Sequence, residues 1–219
     1  MLSLLSTQFK LLILLAVAGI ATTQLHSQNC PAGYASSTMI MTFPHQGQCC
    51  SVEVKYCYRL ESVALGDPAN VFMFEVEEFK LLDIEECWNL DPEQTPPISA
   101  NQIYEWARKR IVWEQFQQGA ILPCPNQLPF SIQETSFQCW VWQFHSFPNP
   151  GGPVFVMGPC GYSKCRRVCH VCINIQAPVL PCLGPASQVD FNCVFLDVAV
   201  PCDGGYPPVE GCQSVGCSN

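Results

Sequence analysis

The sequence predicts an α+β fold of mainly short antiparallel strands with one amphipathic helix at about residues 100–118, rich in disulfides. Three observations carry this expectation. Of the 219 residues, 16 are cysteine and 19 are proline, while only 13% are charged. Apolar and polar residues alternate with period two through much of the N-terminal third, the mark of half-buried strands. One window alone, from Ser99 to Gly119, combines helix-capping chemistry with large apolar residues at helical spacing.

The chain opens with a weakly basic stretch, Met1 to Lys10, followed by the unbroken apolar run LLILLAVAGI at Leu11 to Ile20. That run has 10 residues, short of the ~20 needed to span a bilayer. With the polar ATTQLHSQ after it, the segment reads as a secretory signal at residues 1–21, cleaved after Ala21 within the window 18–27. Ser27, Gln28 and Asn29 do not make a lipoprotein box before Cys30. No later segment reaches spanning length, so no membrane span is expected once the signal is removed. The expected location is secreted, either extracellular or at the cell surface.

Export places the cysteines in an oxidising compartment, where thiols pair. They are Cys30, Cys49, Cys50, Cys57, Cys87, Cys124, Cys139, Cys160, Cys165, Cys169, Cys172, Cys182, Cys193, Cys202, Cys212 and Cys217. The even count predicts complete pairing with the connectivity left open. No Asn-x-Ser/Thr acceptor occurs, which fits a bacterial exported protein better than an animal one.

Strands are expected at Thr38 to Phe43, at Cys50 to Arg59 and at Val71 to Phe79. In the second, Cys50, Val52, Val54, Tyr56 and Tyr58 share one face and Glu53, Lys55, Cys57 and Arg59 the other. Cys49 and Cys50 then point opposite ways and serve two different partners. For the helix, Ser99 and Gln102 form a capping box, and Ile103, Trp106, Trp113 and Phe116 form the expected core stripe. The basic triplet Arg108, Lys109 and Arg110 points in three directions and makes no coherent patch.

Beyond the helix, Phe137 to Phe144 is expected to form a hairpin with Val154 to Met157 across SFPNPGGP. If extended, its Trp140, Trp142 and Phe144 share a face, as a possible binding platform for sugar or protein or, more often, as core. Apolar runs closed by Pro-Cys recur at 121–124, 156–160, 179–182 and 198–202. They read as strand ends where the chain leaves a sheet and is stapled. The expected division is a strand-and-helix part at 28–124 and a Cys/Pro-rich β part at 125–219, cross-linked as one unit. A cut at residue 120 leaves odd numbers of cysteines on both sides, so complete pairing forces a bond across it. Cys124 is expected to staple the helix end back to the N-terminal strands.

The net charge of −8 and the acidic run from Glu75 through Glu93 argue against nucleic acid as a partner. That run reads as a solvated face. The cluster Cys165, Cys169, His170 and Cys172 is a metal candidate, but disulfides are favoured for thiols outside the cell. Cys165-x3-Cys169-His170 resembles the haem-attachment motif of c-type cytochromes, with one residue too many between the cysteines. No cofactor signature, G-x-S-x-G elbow or H-E-x-x-H is present, and catalytic residues stay unassigned. The functional expectation is a structural or interaction protein, with a protein or glycan partner at the cell surface. Two alternatives stand behind it: a secreted hydrolase-like enzyme, and a metal or haem carrier.

Overall fold

The computed structural model describes residues 30–45, 47–61, 71–82, 98–116, 123–126, 131–146, 153–161, 163–198, 202 and 212–215. The expected signal segment and most of the acidic run lie outside them. The fold is α+β. Strands β1 (Ala35–His45), β2 (Gln48–Glu61), β3 (Val71–Leu81), β4 (Ile132–Phe137), β5 (Cys139–Ser146), β6 (Pro153–Pro159), β7 (Lys164–Ile173), β8 (Val189–Phe195) and β9 (Gln213–Ser214) belong to one sheet. Helix α1 (Ala100–Phe116) follows β3 in the chain.

The first three strands form an antiparallel meander, β1 on β2 and β2 on β3. The other edge of β3 is then divided. Its Phe72–Glu75 portion takes β4 in parallel, and its Phe79–Lys80 portion takes β6 antiparallel. Two arms leave from there, β4-β7-β8 and β6-β5-β9. The split turns on Gln138, the single residue between β4 and β5. It is buried, its backbone N–H donates to Ser163 O at 2.9 Å, and its carbonyl accepts from Val215 N–H at 2.9 Å. Its side-chain amide donates to the carbonyls of Lys164 and Val198. A corner residue buried this deeply must satisfy every polar group within the protein.

A β-bulge lies at the centre of the sheet. Lys55 of β2 faces Glu78 and Tyr56 faces Val76, so Glu77 is an extra residue in β3. The bulge shifts the phase of burial: Phe72, Phe74 and Val76 are buried before it, and Phe79 and Leu81 after it. In β2 the expected inner face Cys50, Val52, Val54 and Tyr56 is buried, but Cys57 on the other face is buried too, at 1% exposure. Cys57 pairs in register with Glu75, so that second face is also covered at this point.

Helix α1 begins where the capping chemistry places it, with Gln102 N–H donating to Ser99 Oγ at 3.2 Å. Its buried residues are Ala100, Ile103, Tyr104, Ala107, Arg108, Ile111 and Val112. The expected stripe is therefore corrected. Of its members only Ile103 is fully buried, and Trp106, Trp113 and Phe116 flank the contact half-buried. The line through Ala100, Tyr104, Ala107 and Ile111 runs at spacings of three and four, and its alanines bring little bulk between helix and sheet. The flanking aromatics close the rim: Trp106 stacks on Phe43 at 5.2 Å and Phe116 meets Phe72 edge-on at 5.4 Å.

Disulfides join Cys49 to Cys182, Cys124 to Cys172, Cys139 to Cys202, Cys160 to Cys212 and Cys169 to Cys193. Cys30, Cys50, Cys57 and Cys165 are disulfide-bonded as well. Cys49 and Cys50 do serve different partners, and Cys49–Cys182 crosses residue 120 as cysteine parity demands. The expectation for Cys124 is overturned, because it pairs forward with Cys172. The physical reason is local. Pro123 bridges Ile173 in parallel and Cys124 N–H donates to Ile173 O at 2.9 Å, so the chain after the helix runs beside the end of β7. Each of the four Pro-Cys cysteines is stapled, although among the described residues only Pro159-Cys160 closes a named strand.

Candidate functional site

Two charged clusters stand out, one on each face of the sheet. The first lies where α1 meets β4 and β7. Glu134 of β4 is fully buried, on the inner side of a strand whose burial alternates strictly. Its carboxylate accepts from Tyr104 OH at 2.7 Å, from Arg167 Nε at 2.9 Å and from Arg167 Nη2 at 2.6 Å. Arg108 Nη2 of the helix completes the set at 3.0 Å. Burial alone would push the Glu134 carboxyl up, but the two guanidinium groups outweigh it and hold the carboxyl below its ordinary range. Arg167 is raised in turn: burial works against its charge and Glu134 more than compensates. The Tyr104 phenol is pushed well up, first by burial and then by Glu134, so it stays a donor.

Arg108 also touches sulfur. Its Nη2 lies 3.3 Å from Cys169 Sγ and 3.2 Å from Cys193 Sγ, and its guanidinium stacks 3.9 Å over the Phe191 ring. Glu105, one helical turn back, holds Nη1 at 3.2 Å. The basic triplet diverges as its helical spacing predicts. Arg108 turns inward, Lys109 donates to Ser187 O at 3.2 Å, and Arg110 pairs with Glu114 along the helix.

The second cluster sits on the outer face around the bulge. Glu75, at 3% exposure, is ion-paired with Lys164 of β7, whose ammonium lies 4.5 Å over the Phe137 ring. Glu77 is hydrogen-bonded to Glu75, and its carboxyl is pushed up to about 7 by burial first and the Glu75 charge second, against Lys164. Tyr34, donating to Met73 Sδ at 3.4 Å, is raised by burial and then by Glu75. Glu78, by contrast, pairs with Lys55 at 2.6 Å. The acidic run is thus not a solvated face where it is described, because Glu75 is buried. Asp83 through Glu93 lie outside the described residues.

The metal-candidate residues are placed by the alternation of β7. Cys165 and Cys169 face inward and are buried, whereas His170 is exposed and Cys172 half-buried on the other side. All three sulfurs are committed to disulfides, and a disulfide sulfur is not the thiolate that metal ligation or haem attachment uses. The sulfurs of Cys139, Cys202 and Cys212 also gather within 4.8 Å of one another, but they belong to two disulfides.

The aromatic row divides. Trp140 is fully buried against Phe79 and Tyr104, with its indole N–H donating to Phe137 O at 2.9 Å, so it is core. Trp142 is half-buried and donates to Ile98 O at 3.3 Å. The Phe144 side chain lies outside the described residues.

Neither charged cluster was anticipated. The signal for Glu77 was present as a phase slip in VFMFEVEEFKL, where apolar positions 72, 74 and 76 give way to 79 and 81. Glu134 in IQETSF and Arg167 in KCRRVCHVCI sit at positions that alternation assigns to a buried face, without naming their mutual pairing. Among the described residues no helix is long and apolar enough to cross a membrane. No protein-family model matches the chain, and no curated protein and no solved structure matches it.

Proposed function

We propose that this is an exported, disulfide-stapled structural or interaction protein that works in the extracellular medium or at the cell surface, with a protein partner. The observation that carries the reading is the oxidation of the cysteines: every described one is in a disulfide, and the bonds with known partners span 24 to 133 residues of sequence. Such cross-links persist outside the reducing cytosol. The compact unit running from Pro31 to Asn219, together with Cys49–Cys182, supports treating 28–124 and 125–219 as one cross-linked body.

Strand β8 supports the interaction role. Among the described residues it is paired on one side only, by β7, and it carries exposed Val194 at 66%, with Leu196 and Val198 exposed at 50% and 85% in the segment just past its end. An unpaired edge with aliphatic side chains offers strand addition to a protein partner. Burial of Trp140 removes one of the two indoles from the expected sugar-stacking row, and the other, Trp142, is half-buried with its N–H committed to Ile98 O, which favours protein over glycan.

Expression of the full chain in an exporting bacterial host tests the reading. It predicts protein in the periplasm or medium, shortened by 18 to 27 residues and with no alkylatable thiol. Protein retained in the cytosol at full length with reactive cysteines would contradict it.

The enzyme alternative has one observation in its favour. A carboxyl near 7 beside a second carboxylate is suited to general acid work at neutral pH. Turnover of chromogenic glycoside or ester substrates that disappears in Glu77→Gln, with folding intact, would establish it. Equal rates in the two proteins would assign any turnover elsewhere.

A further inference from the structure

We infer that Cys169–Cys193 is a redox-active disulfide, opened by a dithiol reductant ahead of the other cross-links, with Arg108 as the group that stabilises the released thiolate. This rests on the reading of an extracellular stapled protein and adds a switch to it.

The inference stands on placement. Cys169 and Cys193 are direct cross-strand partners in the antiparallel β7–β8 pair, with Cα atoms 4.0 Å apart. Cys169 is fully buried and Cys193 is half-buried on the edge strand, so Cys193 is the less enclosed of the two residues and the side from which an attacking thiolate would approach. Arg108 Nη2 contacts both sulfurs, at 3.3 and 3.2 Å, with its plane held by Phe191. A guanidinium beside a sulfur favours its thiolate form, and a better thiolate is a better leaving group. The same Nη2 also meets Glu134 Oε2 at 3.0 Å, so the carboxylate and the two sulfurs share one end of the guanidinium.

The step balances as ordinary thiol–disulfide exchange. One thiolate of the dithiol attacks Cys193 Sγ. The Cys169–Cys193 bond breaks, and its electron pair leaves on Cys169 Sγ as a thiolate beside Arg108. The second thiol of the reductant then loses its proton and displaces Cys193, which takes up a proton. Two electrons enter the protein pair and the dithiol becomes a disulfide. Of the two protons lost by the dithiol, one ends on Cys193 and the other goes to solvent.

Opening this pair leaves the β7–β8 backbone ladder from Arg167–Phe195 to Ile173–Val189 in place. Of the five disulfides with both partners known it closes the shortest loop, a separation of 24 residues against 48 to 133 for the others. It therefore restrains the unfolded chain least, and the fold survives its loss best. What changes is the covalent tie of edge strand β8, which carries exposed Val194 and leads into exposed Leu196 and Val198.

The test equilibrates the oxidised full mature protein in dithiothreitol redox buffers, quenches by alkylation and maps the labelled peptides. The expected result is that Cys169 and Cys193 are labelled first, at a potential at least about 30 mV less reducing than any other pair, equivalent to about tenfold in equilibrium constant. Opening together with, or after, the other disulfides would overturn the proposal. In Arg108→Gln the preference is expected to fall by about tenfold, as for one unit of thiolate stabilisation. An unchanged preference in a folded variant would also overturn it. If that variant does not fold, the order of opening in the unmodified protein still decides. Failure of this ordering with all cysteines oxidised would leave the stapled-protein reading intact, whereas free thiols in the starting protein would remove both.

Discussion

Replacing Glu134 with glutamine removes one charge from the most enclosed ionic cluster in the protein and leaves its volume almost unchanged. Two guanidinium groups, of Arg108 and Arg167, would then lose their buried counter-ion with side chains only 5% and 3% exposed, keeping only the part-exposed Glu105 at 3.2 and 3.8 Å. Glutamine keeps a carbonyl for one partner but turns an NH2 toward donors now met by the second carboxylate oxygen. Breaking one partner out of a buried charge network costs about 3–5 kcal/mol. For a chain of this size that corresponds to a drop in Tm of roughly 6–20 °C. Urea unfolding of the oxidised protein measures it directly. The companion variant replaces Arg108 with Met, Glu134 with Leu and Arg167 with Met together. It should recover part of the loss, because an apolar set of similar volume removes the charge-desolvation penalty while the buried Tyr104 hydroxyl gives up its acceptor on Glu134. A loss below about 1 kcal/mol in Glu134→Gln, or a triple variant weaker than the single one, would refute the cluster as a mutually dependent unit.

The remaining expectations concern the bulge, the longest staple and the helix start. Because the folded Glu77 carboxyl is raised to about 7, the folded state binds more protons than the unfolded one between the ordinary carboxylate pKa and about 7. Stability therefore falls as pH rises through that window. Glu77→Gln should leave the unfolding free energy from urea titration unchanged near pH 4 and raise it at pH 8, by about 1 kcal/mol after allowance for solvent screening; equal effects at both pH values would contradict the shift. Replacing Cys49 and Cys182 with alanine opens a loop of 133 residues. The chain-entropy model assigns it about 4–5 kcal/mol, against about 3.5 kcal/mol for Cys169–Cys193. Chemical denaturation of the two double variants should rank them in that order. Ser99→Ala should cost about 1 kcal/mol through the lost cap on Gln102 N–H, and thermal melts showing no change would remove that role.

The fold class and most strand positions were legible because alternation is a local signal. Cys50, Val52, Val54 and Tyr56 announce a buried face within one strand, and Ser99 announces a helix within four residues. The helix face was read less well. Large aromatics at 106, 113 and 116 outweigh alanines at 100 and 107 on any hydrophobicity count, yet the alanines are buried and the aromatics flank them. Connectivity was not legible beyond parity. Cys124 meets Cys172 because Pro123 bridges Ile173, a contact between segments about 50 residues apart. The charged clusters follow the same logic. Glu134, Arg167 and Arg108 come from three elements, and only the order of the sheet brings them to one carboxylate.

The central claim is that the described cysteines form the disulfides which hold this sheet and helix together. Alkylation of the mature protein with intact-mass readout, before and after reduction, followed by peptide mapping under non-reducing conditions, tests it most directly. The account predicts no label before reduction and sixteen labels after it. The map should contain Cys49–Cys182, Cys124–Cys172, Cys139–Cys202, Cys160–Cys212 and Cys169–Cys193. Label on the unreduced protein, or Cys124 joined to a cysteine N-terminal of the helix, would contradict it.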